Sequence, residues 1–262
     1  MNELALFAGA GGGILGGMLL GWRTVCAVER NAYAAQVLAK RQNDGALPTF
    51  PIWSDVCSFD GRPWRGIVDA ISGGFPCQDI SAAGPGKGIF GSRSILWRQM
   101  ARIIDEVRPE EVDLENSPLL VGRGLTVVLG DLAEMGYDAH WCVMGARHLG
   151  APHARDRIWL VARDSTNSHR SDGEGLLTER PYQEGWQHPI THQARLLDRA
   201  RWPAWPAEPG VRRVGHGLAA RVDRLTALGN GQVPRVAAAA FSFLATEWDA
   251  GSGMTACTTE LN

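Results

Sequence analysis

The chain has 262 residues, is 45% hydrophobic and 21% charged, and carries a formal net charge of −2. That length suits one large domain, or one domain with a small appendage, and buries an ample core. The composition excludes disorder throughout, and no apolar run approaches the roughly 20 residues that a membrane span needs.

The longest apolar candidate, Ile14 to Trp22, is broken by glycines. The N-terminus lacks the basic, apolar, small-residue order of a signal peptide, so a cytoplasmic location is expected. Cys26, Cys57, Cys77, Cys142 and Cys257 form no CxxC pair, which argues against a disulfide framework and against a zinc site.

In chain order, Leu4 to Phe7 predicts a strand that opens through Gly9, Gly11, Gly12 and Gly13 into a helix. Val25 to Val28 predicts a second strand ending at Glu29, and Asn31 to Arg41 a helix. Asp55-Val56 stands where a third strand would end. Ile67 to Ile71 predicts a strand followed by Gly73-Gly74-Phe75-Pro76-Cys77. Ser94 to Glu106 has helical spacing with Ile95, Ile103 and Ile104 inward. Val112 to Leu114 predicts a strand running into Glu115-Asn116, and Leu125 to Met135 a helix. Trp141 to Ala146 and Ile158 to Ala162 read as paired strands. The alternation implies an α/β fold with a mostly parallel sheet and helices on both faces.

Composition changes near Arg163, and the stretch to Arg213 is rich in Ser, Asn, Pro, Gly, Arg and Trp. Order returns at Ala219 to Leu228, then Gly229-Asn230-Gly231 and a helix through Val236 to Leu244. The expected organisation is a body over 1–162, a small loop-rich region over 163–216, a returning segment over 217–250, and a flexible tail over 251–262. Only Lys40 and Lys87 among the 26 basic residues are lysine, and residues 163–224 hold 10 basic and 8 acidic side chains. A GC-rich genome is one reading of the arginine excess. Arginine also forks onto phosphates and guanine edges, which fits a protein touching a polyanion with one part only.

Four constellations carry chemistry. The loop Phe7-Ala8-Gly9-Ala10-Gly11-Gly12 between strand and helix lets a ligand approach backbone N–H groups, with Glu29 placed to grip ribose hydroxyls and Asp55 following; a tight turn is the alternative. Cys77 stands after a strand at the sheet's carboxyl edge, as a nucleophilic thiolate or an inert thiol. The other four cysteines read as inert thiols in apolar or tail contexts. Glu115 ends another strand at that edge, as an acid near a substrate nitrogen or a solvated group. Arg155 and Arg157 alternate onto one face, toward a site or toward solvent.

These elements in this order resemble the cytosine-C5 DNA methyltransferases of prokaryotic or phage type. The matches are Phe7 to Gly12, Glu29, Asp55, Gly74-Phe75-Pro76-Cys77-Gln78 with Ser81, Ser92-Arg93 with Leu96, Glu115-Asn116, Gly124 to Trp141, Arg155-Asp156-Arg157, and Gly229-Asn230 with Val233. They cover residues 1–162 and about 217–245. The unmatched 163–216 lies where the family carries its variable target recognition region.

The resemblance implies a Rossmann-like fold dependent on S-adenosyl-L-methionine, methylating C5 of a flipped cytosine in double-stranded DNA. Cys77 would attack C6, Glu115 would protonate N3, Arg157 would hold the cytosine O2, and Arg155 would favour the Cys77 thiolate. Phe7, Ala8, Gly9, Gly11, Gly12, Glu29, Asp55, Val56, Pro76, Leu96, Asn230 and Gly231 would bind the cofactor. Gln78, Ser81, Arg93, Asn116, Arg212 and Arg213 would contact DNA. A monomer is expected, with a separately encoded restriction endonuclease as a potential partner.

Two residues depart from the pattern. Ala5 stands where the family usually has Asp. Asp113 lies inside an apolar strand, where alternation sets it on the side of Glu115 and predicts repulsion between the two. Two other readings stay open: the same chemistry on RNA, and a DNA-binding relative impaired in catalysis.

Overall fold

A computed structural model describes residues 1–76, 95–165 and 221–249. Among these, seven strands form one sheet in the order β3-β2-β1-β4-β5-β7-β6. They are β1 (Asn2–Leu6), β2 (Arg23–Val28), β3 (Ile52–Trp53), β4 (Ala70–Gly73), β5 (Glu111–Asn116), β6 (Tyr137–Met144) and β7 (Arg157–Asp164). Strands β1 to β5 pair in parallel, and β7 runs antiparallel to both β5 and β6. The helices are α1 (Gly12–Leu19), α2 (Ala32–Asn43), α3 (Ile95–Val107), α4 (Leu120–Arg123), α5 (Leu125–Glu134), α6 (Arg221–Asn230) and α7 (Pro234–Asp249).

Helices cover both faces, which is why β1 and β4 are buried along nearly their whole length. On one face Leu4, Leu6, Ile71, Val112 and Leu114 meet α3 and α5. The spacing of Trp97, Met100, Ile103, Ile104 and Val107 makes the apolar stripe of α3. The other face carries α1, α2 and α7. There Trp159 and Val161 meet Val236, Ala237 and Phe241 of α7, while Ala5 and Ala27 meet Ile14 of α1 and Leu38 of α2. Asn31 caps α2 by accepting from the Ala34 N–H at 3.0 Å.

Several boundaries differ from the sequence reading. The fourth strand begins at Ala70 rather than Ile67, because Ile67 and Val68 donate backbone hydrogen bonds to the Trp64 carbonyl in a turn, leaving Ile67 50% exposed. Strand β6 starts at Tyr137, ahead of the expected Trp141, because its full length pairs with β7. Strand β7 runs to Asp164, two residues past the body boundary expected at 162. Gly229 and Asn230 form the end of α6, which starts at Arg221. The side chain of Ile95 lies outside the described residues. Among the described residues no helix is long and apolar enough to cross a membrane.

Candidate active site

Strand β1 lies between β2 and β4, so connections leave it in opposite directions across the sheet. Open α/β sheets bind ligands in the crevice at the carboxyl ends of the strands at such a reversal. A small open cleft sits there, lined by the end of β1 and the glycine loop, by Ser72–Gly74, by Glu115, and by Asn230–Gln232.

The glycine loop is held tightly by its neighbours. Gly11 adopts φ +86° as it caps α1, a region that disfavours side chains. The Gly9 N–H donates to Glu29 Oε2 at 2.6 Å, and the Asn31 N–H donates to Glu29 Oε1 at 2.6 Å. The Arg41 guanidinium donates to the Ala10 carbonyl at 2.7 Å. A methyl group at Gly12 would lie 2.2 Å from the Gln232 carbonyl oxygen, so glycine there lets the 229–233 link close over α1.

Glu115 is 7% exposed and lines the same cleft. Its Oε1 pairs with Arg157 Nε at 2.8 Å. Burial pushes its carboxyl above the usual range, against the opposing pull of Arg157, Arg155 and a hydrogen bond from Gln232. An acid with that bias is suited to deliver a proton to a substrate nitrogen. The Arg155 guanidinium donates to the Gly229 carbonyl at 2.9 Å and to the Gly231 carbonyl. Burial, and next the Arg157 charge, shift its own protonation equilibrium downward. In the described residues Arg155 therefore anchors the link before α7.

Of the expected cofactor residues, Phe7, Ala8, Gly9, Asn230 and Gly231 line the cleft, and the others do not. Gly11 and Gly12 shape the turn, and Glu29 braces it. Asp55 is half-buried, its carboxyl held below the usual range chiefly by the Cys57 N–H. Val56 is buried in the α3 face and Leu96 packs against it, while Pro76 is exposed. Expected to face DNA, Asn116 is instead buried: its amide donates to the Phe75 carbonyl at 3.1 Å, and its Oδ1 accepts from the Ser117 N–H. It thus positions the segment leading to Cys77. Cys77, Gln78, Ser81, Arg93, Arg212 and Arg213 lie outside the described residues.

Cys26 and Cys142 are buried, and burial pushes the Cys26 thiol up to about 11. Cys57, expected among the apolar inert thiols, is exposed on the turn after Asp55. Sequence reasoning missed Gln232, which touches Glu115, and Ser72, which lines the cleft. Gln232 directly follows the Gly229-Asn230-Gly231 match, the one local signal that pointed toward it.

Asp113 also departs from expectation. Glu111 pairs with Arg163 at 2.8 Å and Glu115 with Arg157, but Val161 stands opposite Asp113. Both Asp113 oxygens are fully buried and lack hydrogen-bond partners. Burial raises its carboxyl well above the usual range, and the repelling charges are Glu111 and Glu3 rather than the expected Glu115.

The sheet order and the cleft at the carboxyl edge of its strands define a Rossmann-like α/β fold. The Entamoeba histolytica methyltransferase EhMeth superposes over 96% of this chain and 99% of its own with a TM-score of 0.63, at 14% sequence identity. Residues 1–197 match the family model described as C-5 cytosine-specific DNA methylase, and the chain belongs to that family. The Type II methyltransferase M.NgoBI of Neisseria gonorrhoeae is 30% identical over 220 residues, spanning 79% of this chain and 67% of that protein. The Type II methyltransferase M.Eco47II of Escherichia coli is 33% identical over 164 residues, spanning 61% of this chain. The match covers only 38% of the length of M.Eco47II.

The cleft suits the family's cofactor: the open glycine loop presents backbone, and Glu29 braces it with lone pairs to spare for hydroxyls. Glu29→Ala should weaken S-adenosyl-L-methionine binding by about 1.5–3 kcal/mol, the scale of a hydrogen bond to a charged group. Isothermal titration measures this, and an unaltered affinity would remove Glu29 from the cofactor site.

Proposed function

We propose that the chain transfers a methyl group to C5 of a cytosine flipped out of duplex DNA, through a covalent bond between Cys77 and C6. The observation that carries this reading is the shared cleft: a buried Glu115, its carboxyl raised by burial, beside the glycine loop. Cytosine C5 is not nucleophilic until C6 is saturated, so a covalent step is required, and the base is unreachable within the stack.

The Cys77 thiolate adds to C6 while N3 takes the proton of Glu115, which places electron density on C5. When bound, S-adenosyl-L-methionine supplies an electrophilic methyl group. C5 would take that methyl group as its bond to the sulfonium sulfur breaks and the thioether S-adenosyl-L-homocysteine leaves; the C5 proton would then go to a base, N3 would return its proton to Glu115, and the Cys77–C6 bond would break to restore the aromatic ring. Arg157 holds Glu115 through Oε1 and has further guanidinium donors for the cytosine O2. Asn116 fixes the Phe75 carbonyl ahead of Cys77.

The body over 1–162 and the segment over 217–250 perform this chemistry, and the basic 163–216 region selects the target, with Arg212 and Arg213 among its DNA contacts. The Type II designation of the relatives supports pairing with a separately encoded restriction endonuclease.

Duplex DNA carrying 5-fluorocytosine tests the mechanism, because fluorine cannot leave C5 as a cation. With cofactor, the chain should form an adduct that survives denaturation and maps to Cys77 by mass spectrometry. No adduct, or one on another cysteine, would overturn the mechanism.

A further inference from the structure

The link between α6 and α7 reaches the acid directly. A methyl group built at Gly74 would lie 2.7 Å from Glu115 Oε2 and 3.4 Å from Gln232 Nε2, so the two groups meet over Gly74. The Gln232 amide stands beside Glu115 there and pulls its carboxyl toward the ionised form, while Arg157 holds Oε1. The far side of the same amide lies against the first turn of α1, which follows the glycine loop: a methyl group at Gly13 would lie 2.6 Å from Gln232 Oε1. The link itself is pinned by Arg155, which grips the carbonyls of Gly229 and Gly231.

We infer that Gln232 is a positioning residue for the acid, holding the second carboxyl oxygen of Glu115 and coupling it to the glycine loop. The inference rests on the proposed function for its consequence, but its geometry stands without substrate. An amide N–H donated to a carboxylate favours the ionised form. Gln232 therefore keeps Glu115 from being locked in the protonated state by burial, so that the acid can recover and release its proton in each cycle. The other charges facing Glu115 are Arg157 and Arg155, which act in the same direction. Gln232 is the neutral group beside them, and its amide lies between Gly74 and Gly13.

Two variants of nearly the same shape test this. Gln232→Met removes the donor, and Gln232→Glu replaces it with a second acid. The carboxyl carbon of Glu115 is followed by NMR in glutamate-labelled full chain, its signal assigned by loss in Glu115→Gln. The midpoint should rise by about one pH unit in Gln232→Met and further in Gln232→Glu, where two carboxylates share the site. Single-turnover methylation at saturating cofactor and DNA should fall about tenfold or more in Gln232→Met, as expected for a misplaced catalytic group.

Unmoved midpoints in two variants that melt like the parent chain would overturn the inference. Should Gln232→Met fail to fold, Gln232→Glu alone decides through its midpoint. The titration is read without substrate. A chain that makes no 5-fluorocytosine adduct would thus sink the proposed function while leaving this test readable.

Discussion

Methyl transfer should fall by about 10²–10⁴-fold in Glu115→Gln, the usual contribution of a positioned general acid. Glutamine keeps the shape and can still accept from Arg157 Nε, so neither the fold nor the cofactor cleft loses its support. It cannot give up a proton to N3, and C6 then stays a poor electrophile. Cys77→Ser should remove methylation and the 5-fluorocytosine adduct altogether, since a hydroxyl is far less ionised than a thiol near neutral pH. Cofactor binding should persist in both.

The pH dependence has a definite sign. Burial raises the Glu115 carboxyl, so the active protonated form is lost as pH rises through a value above that of an ordinary glutamate. Single-turnover rates across pH, with titrations of cofactor affinity, measure all of this. A Glu115→Gln rate within a few-fold of the parent, or an intact adduct in Cys77→Ser, would overturn the assigned roles.

Much of the sheet is legible in the sequence because its strands are short apolar runs that stop at glycine or an acid: Leu6 before the glycine loop, Val28 before Glu29, and Gly73 before Phe75. What the sequence hides is cross-strand and cross-chain. Arg155 and its partner Gly231 are 76 residues apart, and no local pattern predicts that contact. Gln232 meets Glu115 because α7 packs back onto α1, an event of packing rather than periodicity. Alternation along β5 sets Asp113 on the side of Glu115, but register across β1, β5 and β7 decides which charges reach it. That register brings Glu3 near and puts Val161 where Arg163 and Arg157 serve its two neighbours.

Asp113→Val should stabilise the folded chain by about 1–3 kcal/mol near neutral pH, the scale of a buried polar group left without a hydrogen bond. The valine would face Val161 across the β5–β7 ladder, and a β-branched side chain suits a strand. The carboxylate it replaces has no partner for either oxygen and is repelled by Glu111 and Glu3.

Its folded-state pKa lies above the value of about 3.9 for an unfolded aspartate. Between those two values the folded chain holds a proton that the unfolded chain has released, so stability falls as pH rises through that window. Glu3 acts in the same sense, because its burial outweighs the hydroxyls of Ser72 and Thr24. Asp113→Val should therefore gain little in acid and most at neutral pH, with a shallower loss of stability on raising the pH. Asp113→Asn, which removes the charge and keeps an unsatisfied polar group, should fall between parent and valine. Denaturant unfolding at several pH values measures the effect. Equal stability and equal pH slopes in parent and Asp113→Val would show that the carboxylate finds a partner in the folded chain.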